Sequence, residues 1–128
     1  MEEQFYDAID LLKGMISIPS FSKEEKTVAD FLQGKWSEAG HIVNRMGNNL
    51  WLSTVIDAGK PILLLNAHID TVRPASGWTM DAFTPNDSED DKLYGLGSND
   101  DGASVVSLYE AFSVLSRREQ AYNLIFLA

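Results

Sequence analysis

Two short motifs in the middle of the chain bring together side chains able to do chemistry. Asn66-Ala-His68-Ile-Asp70-Thr-Val72 ends an apolar run that starts at Ile62, and Leu93-Tyr-Gly95-Leu-Gly97-Ser-Asn-Asp100-Asp101-Gly102 leads into a periodic apolar stretch. Residues two apart in an extended chain face the same way, so the Asp70 carboxylate can fix the orientation and tautomer of the His68 imidazole. That pairing suits a metal ligand and its positioning partner. Glycines at 95, 97 and 102 permit a tight loop with positive φ that presents Asp100 at the start of a helix, within reach of His68.

The rest of the composition narrows the chemistry. The 128 residues include no cysteine, so disulfides, thiolate nucleophiles and sulfur-ligated zinc are excluded and any metal must be held by His, Asp or Glu. The other histidine, His41, stands at a helix-to-strand junction with no carboxylate near it in sequence and reads as an ordinary solvated side chain. Once His68, Asp70 and Asp100 are assigned, the remaining acids are Asp101, expected to cap a helix start or face water, and loop acids such as Asp81. A formal charge of −9 with no Lys/Arg cluster excludes a nucleic-acid surface, and Ser88-Glu-Asp-Asp-Lys92 reads as a solvated acidic loop. No window approaches the roughly 20 apolar residues of a membrane span, and the acidic start lacks the basic region of a signal peptide, so no membrane partner and a cytoplasmic location are expected.

The elements that must position the motifs can be read in order. Phe5, Ile9, Leu12, Met15 and Ile16 make one face of a first helix ending before Pro19. Ser22 and Glu25 have capping-box spacing ahead of a second helix with Val28, Phe31, Leu32 and core Trp36 on one face, closing near Gly40. Residues 41–46 and 50–55 read as a hairpin about Gly47-Asn-Asn49. The unbroken apolar run at 62–67 predicts a central strand covered on both faces. A helix from Gly102 to about Arg117 and a last strand at 123–127 complete a crossover, so those two strands should be parallel. The expected fold is α/β, a three-layer α/β/α arrangement with a mixed, largely parallel sheet. Trp78 reads chiefly as an anchor for the long loop.

These residues resemble the N-terminal part of the co-catalytic zinc aminoacylase family, which includes acetylornithine deacetylase, succinyl-diaminopimelate desuccinylase, aminoacylase and carboxypeptidase G. Ile18-Pro-Ser20, Asn66 to Val72, Trp78 with Phe83, and Leu93 to Asp100 occur in the family's order and spacing over nearly the whole chain. The resemblance implies that His68 ligates one zinc, that Asp100 bridges two, that Asp70 orients His68, and that the Asp100-Asp101 peptide is cis. Cobalt or manganese could replace zinc. Leu96 and Gly102-Ala103 depart from the family's frequent Arg and Lys-Gly at those positions, neither of which is a ligand.

The implied reaction is hydrolysis of an amide in an N-acyl amino acid or small peptide, with an acetylornithine deacetylase-like, arginine-biosynthetic protein as the nearest fit. The family places a catalytic Glu-Glu pair just beyond a strand like 123–127. Residues 1–128 therefore read as the N-terminal portion of a zinc-peptidase-like catalytic domain, without the dimerisation domain or C-terminal half. The parent is expected to be a homodimer; this chain alone is expected to be inactive and prone to self-association. The alternative is a non-catalytic binding domain that keeps the fold and a partial metal site. A third reading makes His68 and Asp70 core polar residues without metal, which uncompensated desolvation argues against.

Overall fold

The computed structural model describes residues 2–87 and 91–128, with side chains for 6–86 and 91–128. The Phe5 side chain and most of the acidic run at 88–92 thus lie outside the described residues. Helix α1 (Glu2–Ile16) buries Leu11, Leu12, Met15 and Ile16, the three- and four-residue spacing expected of an amphipathic helix. Helix α2 (Lys26–Glu38) buries Val28, Ala29, Leu32 and Trp36. Its start differs from the capping-box expectation. Glu25 is itself the cap residue and makes no side-chain cap bond. Its carboxylate instead accepts the Lys23 backbone N–H in a turn where Lys23 has φ +74°.

Strands β1 (Asn44–Met46) and β2 (Asn49–Ser53) form the expected antiparallel hairpin, turned by Gly47 at φ +64°. Strand β3 (Ile62–Asn66) precedes a long excursion containing the short pair β4 (Asn86–Asp87) and β5 (Leu93–Tyr94). A π-type turn at Ser98–Gly102 opens directly into α3 (Ala103–Leu115), and β6 (Asn123–Leu127) follows. The four-stranded sheet has the order β1-β2-β6-β3, with β3 and β6 parallel as expected of a helical crossover and the other two pairs antiparallel. The α/β class and the mixed sheet agree with the sequence reading.

The central placement expected of β3 does not. The crossover returns β6 into the space between β2 and β3, so β6 is paired on both sides and β3 lies at the sheet edge among the described residues. The register puts Leu63 and Leu65 beside Leu124 and Phe126, facing the helices, and turns Ile62 and Leu64 to the opposite face. There they are 59% and 52% exposed. All three helices pack into one cluster with Leu50, Leu52, Leu124 and Phe126. The described residues therefore cover only one side of the sheet, and none of them forms a layer over the far side of the apolar run at 62–65.

That cluster is anchored by aromatic packing. Trp36 is fully buried, stacked on Tyr109 at 5.3 Å and edge-on to Phe126 at 5.3 Å, and a large side chain so placed contributes about 1.5–3 kcal/mol through burial. Asn123, 2% exposed, ties the start of β6 to the segment before β3. Its Oδ1 accepts the Asp57 N–H at 2.8 Å, and its amide donates to the carbonyls of Asp57 and Lys60 at 2.8 and 3.0 Å. These bonds hold in place the parallel pair that carries the candidate site at its C-terminal end.

Candidate active site

Beyond Asn66 the chain leaves the sheet edge at the carboxyl end of a parallel pair, the position at which open α/β sheets deliver functional side chains. Ala67 still donates to Leu127 O at 3.2 Å, and Thr71 is then caught by Ser20, whose carbonyl accepts its N–H at 2.8 Å. The Ile18-Pro-Ser20 segment thus serves as a backbone clamp for the His68–Asp70 stretch; Ser20 is buried. Between these two fixed points His68 and Asp70 project into an open cleft.

The second motif reaches the cleft through backbone conformations that favour glycine. Gly97 has φ +79°, and a Cβ there would lie 2.8 Å from Thr71 Cγ2; Gly95 has φ +154°, and its Cβ would lie 2.4 Å from Ile16 Cγ2. Gly102 lets the helix start approach the Gly97 carbonyl, to which it donates at 2.9 Å. The outcome is that Asp100 Oδ1 lies 3.1 Å from His68 Nε2. The Asp100-Asp101 peptide is cis, as the resemblance implies.

His68 is held from three directions. Nδ1 lies 2.9 Å from the Asp70 carbonyl and 3.3 Å from Asp70 Oδ1. With the Nδ1 proton on that side, Nε2 carries a lone pair and faces Asp100 Oδ1, so the two are electron-pair donors with room for a cation to be shared. The His68 backbone N–H donates to Asp101 Oδ2 at 3.3 Å. Asp101 is therefore not a free helix-start carboxylate. It ties the strand end to the helix start, a contact between residues 33 apart that no local spacing signals. Burial pulls the His68 pKa down, but the hydrogen bond to the Asp70 carbonyl, the charges of Asp101 and Asp70 and the hydrogen bond to Asp100 outweigh it and raise the value above the ordinary one.

The site is open. The His68, Asp70 and Asp100 side chains are 52%, 36% and 88% exposed, so the desolvation argument against a metal-free core role does not apply to them. The donor set itself favours a cation: an imidazole nitrogen and a carboxylate oxygen meet at the mouth of the cleft with an orienting partner behind the imidazole. Among the described residues no group of three His, Asp or Glu side chains is placed to hold a metal. His68 and Asp100 thus fit part of a metal site. Asp81 is outside it: its carboxylate accepts the Phe83 N–H at 2.9 Å and the Thr84 hydroxyl at 3.0 Å, which lower its pKa.

His41 is likewise apart from the cleft, and it is not the solvated residue its sequence context suggests. It is half-buried against Tyr109 and Phe112, with Nε2 3.2 Å from Ser113 Oγ. Burial, and then the Arg117 charge, lower its pKa. Trp78 is 41% exposed beside the Gly95–Gly97 loop, and Phe83 packs edge-on to Phe21 at 5.9 Å.

The fold is shared with part of several solved peptidases. It superposes on a dipeptidase from Saccharomyces cerevisiae with a TM-score of 0.71 at 21% identity, covering 98% of this chain and 32% of that one. On a tripeptidase from Staphylococcus aureus the TM-score is 0.69 at 23% identity, covering 94% of this chain and 35% of the other. In sequence, residues 64–128 match the model of Peptidase family M20/M25/M40, and the chain belongs to that family. It is 28% identical over 113 residues to a succinyl-diaminopimelate desuccinylase of Sphingopyxis alaskensis, covering 82% of this chain and 30% of the relative. A putative succinyl-diaminopimelate desuccinylase of Mycobacterium tuberculosis is 32% identical over 96 residues, covering 73% and 25%. The chain therefore spans about a quarter to a third of the length of these relatives. No helix of the described residues is long and apolar enough to cross a membrane.

Proposed function

We propose that the chain supplies one wall of the active site of a metal-dependent amidohydrolase acting on N-acyl amino acids or small peptides. In this reading His68 and Asp100 hold the metal and Asp70 orients His68. The observation that carries it is the convergence of His68 Nε2 and Asp100 Oδ1 at 3.1 Å while Nδ1 is engaged by Asp70. The metal, zinc by family habit with cobalt or manganese as substitutes, would supply Lewis acidity that polarises the amide carbonyl and lowers the pKa of water. This chain's residues do the remaining work on their side of the cleft. Asp70 holds the imidazole so that its lone pair points outward. Asp101 fixes the His68 backbone against the helix start, and Gly95 and Gly97 let Asp100 reach the same point.

For the substrate, the desuccinylase relatives favour an N-succinyl amino acid over the N-acetylornithine implied by the resemblance. Among the described residues no third ligand joins His68 and Asp100, which makes hydrolysis by residues 1–128 alone unexpected. The test is amide hydrolysis by the complete enzyme carrying this segment, assayed on N-succinyl and N-acetyl amino acids with and without Asp100→Asn. Metal-dependent hydrolysis that Asp100→Asn abolishes is expected; full activity in that variant overturns the assignment.

The second reading, a non-catalytic binding domain with a partial metal site, is favoured by one observation, the absence of a third ligand among the described residues. It predicts metal binding by the complete protein without turnover of either substrate.

A further inference from the structure

Between Thr71 and Asp100 the chain surrounds a cavity of about 340 Å³ with Asp100 in its wall, and Asp100 Oδ1 is 3.1 Å from His68 Nε2. Val72, Trp78, Met80 and Tyr94 line it, and all four are exposed. Large apolar side chains gathered in the open mark a binding surface. Local bonds hold them in place. The Leu96 N–H donates to the Ala82 carbonyl at 2.7 Å, and the Asp81 carboxylate closes the turn after Met80 by accepting the Phe83 N–H and the Thr84 hydroxyl. The Asn86 amide meets Met80 Sδ at 3.8 Å. A cavity so fixed needs little reordering to take a ligand.

Charge identifies the occupant. No Lys or Arg lines the cavity among the described residues. Arg73, next to Val72, is engaged elsewhere: it lies over Phe21 at 4.3 Å and donates to Glu24 at 2.9 Å. A carboxylate brought into the cavity would lose water beside Asp100 with no cation to pair it. In an N-succinyl amino acid the succinyl end and the α-carboxyl group are both charged, which leaves the amino-acid side chain as the group that fits. We propose that this cavity receives the side chain of the amino acid being released and selects an uncharged, apolar one such as that of leucine or phenylalanine. The volume, at the low end of small-molecule sites, suits one side chain rather than a whole substrate. The inference rests on the reading of His68 and Asp100 as metal ligands, because that reading puts the scissile amide at the mouth of the cavity.

The test is kcat/KM of the complete enzyme carrying this segment on the N-succinyl or N-acetyl derivatives, whichever it hydrolyses, of leucine, glycine and glutamate. Leucine should exceed both of the others by at least about tenfold, the scale on which an apolar pocket discriminates. Trp78→Ala should shrink the leucine-to-glycine ratio by about tenfold, and Met80→Lys should move the leucine-to-glutamate ratio toward glutamate by a similar factor. Each ratio is taken within one protein sample, so a smaller folded fraction does not alter it. Equal rates on the three substrates, or ratios that neither substitution changes, would overturn the proposal while Asp100→Asn still abolishes hydrolysis. Full activity of Asp100→Asn overturns instead the metal reading on which the proposal rests.

Discussion

The two histidines of the chain occupy opposite surroundings. His41 is set among Tyr109, Phe112 and Ser113, where burial lowers its pKa and favours the neutral ring. His68 stands at an open cleft among Asp70, Asp100 and Asp101, which raise its pKa in spite of partial burial. An imidazole in an aromatic pocket with one hydroxyl partner is part of the packing. An imidazole with its Nδ1 held and its Nε2 turned to a carboxylate is set to share a cation. Changes on the His41 side should therefore register as stability, and changes on the His68 side as metal affinity.

The largest effect should fall on the His41 side. Trp36→Ala removes the fully buried ring on which Tyr109 stacks and should cost about 3–5 kcal/mol in denaturant unfolding. His41→Ala removes one partner of buried Ser113, which also bonds Tyr109, together with the ring packed on Tyr109 and Phe112, and should cost about 1–3 kcal/mol, with zinc affinity unchanged. On the other side, Asp70→Asn should weaken metal binding by about 10–100-fold and leave the unfolding midpoint nearly in place, since Asp70 and His68 are both substantially exposed.

The smallest effect is the most discriminating. His41 has a folded pKa below its unfolded value of about 6.5, so the unfolded chain binds more protons and stability is lost as pH falls below that value. His68 in the metal-free chain has the raised value. Its contribution is present below about pH 6.5 and is lost as pH rises through the folded pKa; exposure keeps it small. Thermal unfolding of His41→Gln and His68→Gln across this range should show pH slopes changed in opposite directions. Changes of the same sign would erase the distinction between the two sites.

Much of this was legible from local pattern. The helical faces of α1, α2 and α3 and the 44–53 hairpin followed from periodicity and turn residues, and the parallel pairing of β3 with β6 followed from crossover length. The His68–Asp70 alternation and the glycines before Asp100 marked the two motifs that the fold brings together. What could not be read was non-local. An apolar run such as Ile62–Leu65 looks the same in a central strand and in an edge strand whose far face lacks a covering layer. The insertion of β6 between β2 and β3 decides that, and it involves residues about 60 positions away. The bond from the His68 N–H to Asp101 and the pocket around His41 likewise join distant segments.

Zinc titration by calorimetry on the 128-residue chain, with His68→Ala and Asp100→Asn beside it, tests the central claim most directly. Micromolar binding by the unaltered chain that both substitutions abolish, with unfolding midpoints unchanged, is the predicted result. Absence of binding, or equal binding by all three proteins, would contradict a metal half-site built from His68 and Asp100.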